Sequence, residues 1–148
     1  MSDDWRRGDY VISTDRGRLD IDAIHTFLTR SYWAKGIPRD VVARSIEGSL
    51  CFGLFHGGEQ VGFARVITDY ATTGYLADVF VLEEHRGHGL GVWLIDTVMR
   101  HPALQGFRVW RLGTRDAHGL YEKFGWRPLA HPERLMEIVD PSIYADAT

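Results

Sequence analysis

The chain has 148 residues, enough for one domain, residues 1–148, with its own core. A formal net charge of −3 without a basic stripe excludes a general nucleic-acid-binding role, and no run approaches the roughly 18 continuous apolar residues of a membrane span. Cys51 is the only cysteine, so neither an intrachain disulfide nor a four-cysteine zinc site can form; with no apolar signal segment after Arg7, the expected location is the cytoplasm.

Tyr10 to Thr14 reads as a first short strand. Ile21, Ala23, Ile24, Phe27 and Leu28 fall at helical spacing. Arg30 to Gly36 breaks that helix, and Pro38 suits the first turn of a second one running to Glu47. Leu50 to Phe55 is continuously apolar and reads as a buried strand; Gly57-Gly58 signals a hairpin, with Val61 to Thr68 as the return strand. After the loop Asp69 to Gly74, Tyr75 to Leu82 forms another strand. A helix follows with the stripe Leu90, Leu94, Ile95, Val98 and Met99, ended by Pro102 and Gly106. Phe107 to Leu112 is a strand, Asp116 to Phe124 a short helix stopped at Gly125, and Trp126 to Ala130 and Leu135 to Val139 are two final strands. The order βααβββαβαββ gives an α/β fold, a mixed sheet with helices on both faces.

The most informative stretch is Arg86-Gly87-His88-Gly89-Leu90-Gly91, between strand and helix. Backbone N–H groups converge at such a turn, which makes it a site for phosphate or pyrophosphate. It is not a Rossmann fingerprint, because the third glycine would fall on Val92, and it lacks the Gly-Lys-Ser/Thr of a P-loop. On spacing alone, a plain turn with incidental glycines fits equally well.

The stretch Val79 to Gly91 resembles a motif of the GCN5-related N-acetyltransferase (GNAT) family. The pattern Arg/Gln-x-x-Gly-x-Gly/Ala is met by Arg86, Gly89 and Gly91. Ala117-His118-Gly119-Leu120-Tyr121, followed by Gly125-Trp126, resembles the family's later Ala-x-x-Leu-Tyr-x-x-x-Gly-Phe. The two motifs occur in family order, and the element order matches the acyl-CoA N-acyltransferase fold across nearly the whole chain. Tyr75 to Gly91 is locally similar to spermidine/spermine acetyltransferases, but Ala77 stands where those enzymes carry a polyamine-contacting Glu.

This resemblance implies an N-acetyltransferase (EC 2.3.1.-) that moves acetyl from acetyl-CoA to a primary amine of a small molecule or peptide, by direct attack in a ternary complex. The alternatives are a non-catalytic acyl-CoA sensor and an acyltransferase using another acyl-CoA. It assigns the pyrophosphate to Arg86, Gly87, His88, Gly89, Leu90, Gly91 and Val92, and the pantetheine arm to Val79, Phe80 and Val81. Thr114 stands at a family Asn position near the cofactor, and Val109 where some relatives carry a Glu base. Tyr121 matches the tyrosine that faces the CoA sulfur; on spacing alone it is also an aromatic on the apolar face of a short helix. Asp78 is the side-chain candidate for general base, or a structural carboxylate bonded to a neighbouring loop. A homodimer is a frequent state in the family.

Tyr32 and Trp33 lie between the first two helices, where they could receive a cationic amine by cation–π contact or simply pack on the sheet edge. Arg65, Asp69 and Tyr70 could line the acceptor site or form a solvated rim. His85 and His88 are three apart, but no further Asp, Glu or Cys completes a metal set, so no metal is expected. Cys51, Trp93 and Trp110 read as core residues.

Overall fold

The computed structural model describes residues 2–144. Six strands form one sheet: β1 (Asp4–Arg7), β2 (Tyr10–Ser13), β3 (Leu50–His56), β4 (Glu59–Thr68), β5 (Thr73–Val81) and β6 (Val109–Leu112). They lie side by side in chain order, antiparallel from β1 to β5, and β6 runs parallel to β5. A parallel neighbour needs a crossover, which α3 (Leu90–Arg100) supplies. The other helices are α1 (Ile21–Leu28), α2 (Arg39–Glu47) and the single turn α4 (His118–Glu122).

Local chemistry sets these boundaries. The Asp20 carboxylate accepts from the Ala23 N–H at 3.0 Å and caps α1. Gly57 and Gly58, at φ 57° and 89°, make the tight β3–β4 turn that only residues free of Cβ adopt cheaply. Each face of the sheet is buried by its own helices. Leu90, Leu94, Ile95 and Val98 of α3 pack with Phe52, Leu54, Ala64 and Val66 on one face. Ile24, Leu28, Val42 and Ile46 of α1 and α2 pack with Cys51, Phe63 and Phe80 on the other.

The structure corrects the sequence reading at both ends. Asp4–Arg7, a polar run with no strand pattern, forms β1 by backbone pairing with β2, and most of its residues stay exposed. Neither Trp126–Ala130 nor Leu135–Val139 forms a strand, so the observed order is ββααβββαβα. Pro128 removes a ladder donor from the first of these. The second finds no sheet neighbour among the described residues, and Met136 and Ile138 stand in solvent. No helix among the described residues is long and apolar enough to cross a membrane.

Candidate active site

The site begins where two strands part. The β5–β6 pairing ends at Leu76 and Leu112, while β5 continues to Val81. The edge of β5 from Ala77 onward is therefore unpaired on the β6 side. The Leu82 N–H donates to the Val61 carbonyl at 2.8 Å on the opposite side. Antiparallel alternation then turns the N–H and carbonyl of Val81 away from β4 and into the opening. Consistent with this, the Val81 carbonyl accepts from Arg86 Nε at 2.9 Å, which ties the glycine loop to the end of β5.

A bulge bends β5 just before the opening. Ala77 pairs with Arg65 and Phe80 with Phe63, so Asp78 and Val79 oppose the single residue Ala64. Asp78 takes φ 55°, a left-handed conformation that few side chains tolerate and Asp tolerates better than most. Both of its carboxylate oxygens are engaged: Oδ2 accepts from Arg65 Nε at 2.8 Å and Oδ1 from Trp33 Nε1 at 2.9 Å. Arg65 Nη1 also donates to Ser49 Oγ at 3.1 Å. The two charged side chains are only 15% and 9% exposed, so the pair lies inside the protein rather than on its rim.

At the far end of the opening, Gly87 and Gly89 adopt φ 85° and 73°, and Gly89 caps α3 without a side-chain hydrogen bond. The first-turn N–H groups of α3 are thus left for an external partner. A Cβ built on Gly87, Gly89 or Gly91 meets nothing within 4 Å, so the space over the loop is open. A cleft of about 640 Å³ leads from this loop along Val79, Phe80 and Val81 to Tyr121. The residue types fit a pyrophosphate at the loop and an extended amide chain along β5.

A second cavity, about 420 Å³, meets Tyr121 from the other direction and is lined by Tyr32, Trp33, Arg65, Tyr75 and Asp78. The α1–α2 loop separates the two spaces. Trp33 is fastened to Asp78 on β5, and the Tyr32 hydroxyl accepts from the Arg115 N–H at 2.8 Å beyond β6. The Arg115 guanidinium also lies 3.9 Å over the Tyr32 ring. Tyr121 lines both spaces and is 8% exposed. Burial, with a smaller contribution from Tyr32, pushes its hydroxyl up to about 12.

The structure therefore gathers Tyr121, Asp78, Tyr32, Trp33, Arg65, Val79–Val81, Arg86, Gly87 and Gly89–Val92 around these spaces. It places three expected residues elsewhere. Tyr70 lies exposed in the β4–β5 loop and lines neither cleft, and His88 is exposed beside the glycine-loop cleft without lining it. Thr114 lines the cavity beside Tyr32 and Trp33 but not the cleft at the glycine loop, and its hydroxyl accepts from the Ala117 N–H at 3.1 Å. Sequence reasoning missed Tyr75, which lines the cavity beside Tyr32 and Trp33, and Asp116, which lines both clefts. Asp116 directly precedes the Ala117 motif, a signal that could have found it. The thiol of Cys51 is buried and pushed up to about 12, which removes it as a nucleophile. Among the described residues no cluster of three or more His, Cys, Asp or Glu could hold a metal ion.

The chain is similar to known proteins in sequence and fold. Residues 19–126 match the profile of the acetyltransferase (GNAT) family. A Gibberella zeae protein is 36% identical over 83% of this chain and 82% of its own length. A GNAT-family crystal structure from Xanthomonas campestris pv. campestris is 53% identical over 92% of this chain and 96% of that one, with a TM-score of 0.89. Both carry the name putative acetyltransferase. A GCN5-related N-acetyltransferase from Ralstonia eutropha, at 16% identity and TM-score 0.60, shares the fold.

Proposed function

The chain belongs to the GNAT acetyltransferase family, a family of acyl-transferring enzymes, and we propose from that premise that it moves the acetyl group of acetyl-CoA to a primary amine of a small molecule or peptide. The observation that carries this reading is the convergence on Tyr121. The open glycine loop feeds one cleft to it, and an aromatic-lined cavity approaches it from the other side.

In this reading the pyrophosphate rests on the N–H groups of Gly87 to Val92, with no Cβ at Gly87, Gly89 or Gly91 to block it. The pantetheine amides pair with the free edge of β5, and the Val81 N–H polarises the thioester carbonyl. A free alkylammonium has a pKa near 10.4, so only about 10⁻³ is the reactive amine at pH 7. Both oxygens of Asp78 are already engaged, so we assign Asp78 to positioning Trp33 and Arg65, and the ammonium proton to water in the acceptor cavity. The neutral amine attacks the thioester carbon, its nitrogen gives up a proton to water in the acceptor cavity, and the C–S bond breaks to leave the CoA thiolate, which water then protonates.

Tyr121 faces that thiolate. With its hydroxyl near 12 and a thiol near 8.5, full proton transfer is uphill by roughly 3.5 pKa units, on the order of 5 kcal/mol. Tyr121 therefore acts as a hydrogen-bond donor that stays protonated, not as an acid that surrenders its proton. Dependence on acetyl-CoA supports a cytoplasmic location.

The test is a mass-spectrometric screen of amine metabolites and peptide N-termini with acetyl-CoA. An amine that gains an acetyl group while stoichiometric CoA is released supports the reading. Acetyl-CoA binding without turnover across a broad panel replaces it with an acyl-CoA sensor.

A further inference from the structure

We propose that Asp116 anchors the amine that receives the acetyl group, and that this amine is a single cation carried on an apolar or aromatic body. The proposal rests on the acetyl-transfer reading and adds to it the class of acceptor. Among the described residues six line both the glycine-loop cleft and the cavity beside it: Tyr32, Trp33, Val79, Asp116, Ala117 and Tyr121. They mark the passage where thioester and amine meet. Asp116 is the only carboxylate or cation among the six.

The Asp116 carboxylate has no structural duty. It stands just before α4, at a place where Asp commonly caps a helix. Here Thr114 Oγ1 accepts from the Ala117 N–H instead, and Ala117 itself ends the helix without a side-chain bond. Among the described residues nothing donates a hydrogen bond to the Asp116 oxygens. The Arg115 Nη2 stays 4.0 Å away with both side chains mostly exposed, and that guanidinium lies over the Tyr32 ring. Asp78 differs in each respect, being buried and held at both oxygens.

The cavity wall says what Asp116 would hold. Three charged side chains line it: Arg65, Asp78 and Asp116. Arg65 and Asp78 offset each other at 2.8 Å, and Ser49 takes a second Arg65 N–H. One negative charge is left over, which suits one ammonium. An acceptor carboxylate would face Asp116 with no unpaired cation on the wall, and a second ammonium would find no second free carboxylate. The remaining wall is apolar: Tyr32, Trp33 and Tyr75, each 42–44% exposed, with Leu76 and Leu112. Ring faces favour a cation and the apolar part of its carrier alike. A volume of about 420 Å³ is that of a small-molecule site.

The anchor also serves the reaction. The ammonium gives a proton to cavity water, and the neutral nitrogen bonds to the thioester carbon. That nitrogen is then positive again, and Asp116 faces its charge until the second proton passes to water and the C–S bond breaks to release the thiolate.

Two ligands of one shape and different charge test this on the CoA-loaded chain, by ligand-observed NMR titration: 2-phenylethylamine and 2-phenylethanol. The unmodified chain is expected to bind the amine about tenfold tighter than the alcohol. Asp116→Asn should erase that preference while alcohol affinity and circular dichroism stay unchanged. Equal amine affinity in the two chains, or a parallel loss of amine and alcohol, overturns the anchor. Phenylalanine or spermidine binding the unmodified chain more tightly than 2-phenylethylamine overturns the acceptor class. These titrations involve no acetyl transfer, so a chain that passes them and acetylates no amine counts against the reaction and not against Asp116.

Discussion

Replacing Asp78 separates a positioning role from a base. Asp78→Ala removes the partner of a buried Arg65, deletes the acceptor of Trp33 Nε1 and places a Cβ-bearing residue with no compensating side-chain oxygen at φ 55°. Breaking one side of a buried ion pair costs about 3–5 kcal/mol. Ser49 still accepts from Arg65, which favours the lower half of that range, and since Asp already bears the Cβ strain of the left-handed backbone, Ala there adds only about 1 kcal/mol. The expected loss is about 4–5 kcal/mol, read as a lower urea midpoint by tryptophan fluorescence. Asp78→Asn keeps an oxygen for Trp33 and tolerates the backbone but still leaves Arg65 without its counter-charge, so it should lose about 3 kcal/mol, less than Asp78→Ala. Combining Arg65→Met with Asp78→Asn removes both charges and should be less destabilised than Asp78→Ala. On activity, a lost general base lowers kcat by about 10²–10⁴. A positioning residue instead raises the acceptor KM, with kcat within about tenfold. If Asp78→Asn loses a hundredfold or more in kcat while its urea midpoint is unchanged, the positioning argument is wrong.

Three other expectations follow from the same geometry. Tyr121→Phe should lower kcat by roughly 10–10³-fold at unchanged acetyl-CoA affinity, since one donor to a developing charge is lost; equal turnover would remove Tyr121 from the chemistry. Because the Tyr121 hydroxyl lies near 12, kcat/KM should rise with pH as the amine deprotonates and show no falling limb up to about pH 10. A falling limb below that, absent in Tyr121→Phe, would contradict the donor role. Burial raises the Cys51 thiol from 9.0 to about 12, so the folded chain should resist alkylation at pH 8. The sign also predicts stability that is full below pH 9 and declines as pH climbs toward 12. Rapid native-state labelling would show that Cys51 is reached without unfolding.

What was legible in the sequence is what local signals encode. The Gly57-Gly58 turn, the α3 stripe and the glycine loop each announce themselves within a few residues, and Tyr121 within its motif. What was missed depends on partners far along the chain. β1 forms from the polar run Asp4–Arg7 because its backbone pairs with β2, which its side chains do not reveal. The engagement of Asp78 needs Arg65 and Trp33, 13 and 45 residues away, and no periodicity encodes that. Thr114, expected near the cofactor, accepts from the Ala117 N–H at the start of α4, a contact its sequence position does not announce. Leu135 to Val139 has strand composition, and the structure leaves it extended without a sheet neighbour among the described residues.

In the proposed reaction the glycine loop holds the cofactor whose thioester lies at Tyr121. Isothermal titration of acetyl-CoA into the unmodified chain and into Gly89→Asp tests it most directly. Gly89 sits at φ 73° facing open space, so an Asp there sets a strained backbone and a negative charge where the pyrophosphate should rest. Saturable binding by the unmodified chain, lost in a Gly89→Asp variant that remains folded, is the predicted result. No binding by the unmodified chain, or equal affinity in the two, would contradict it.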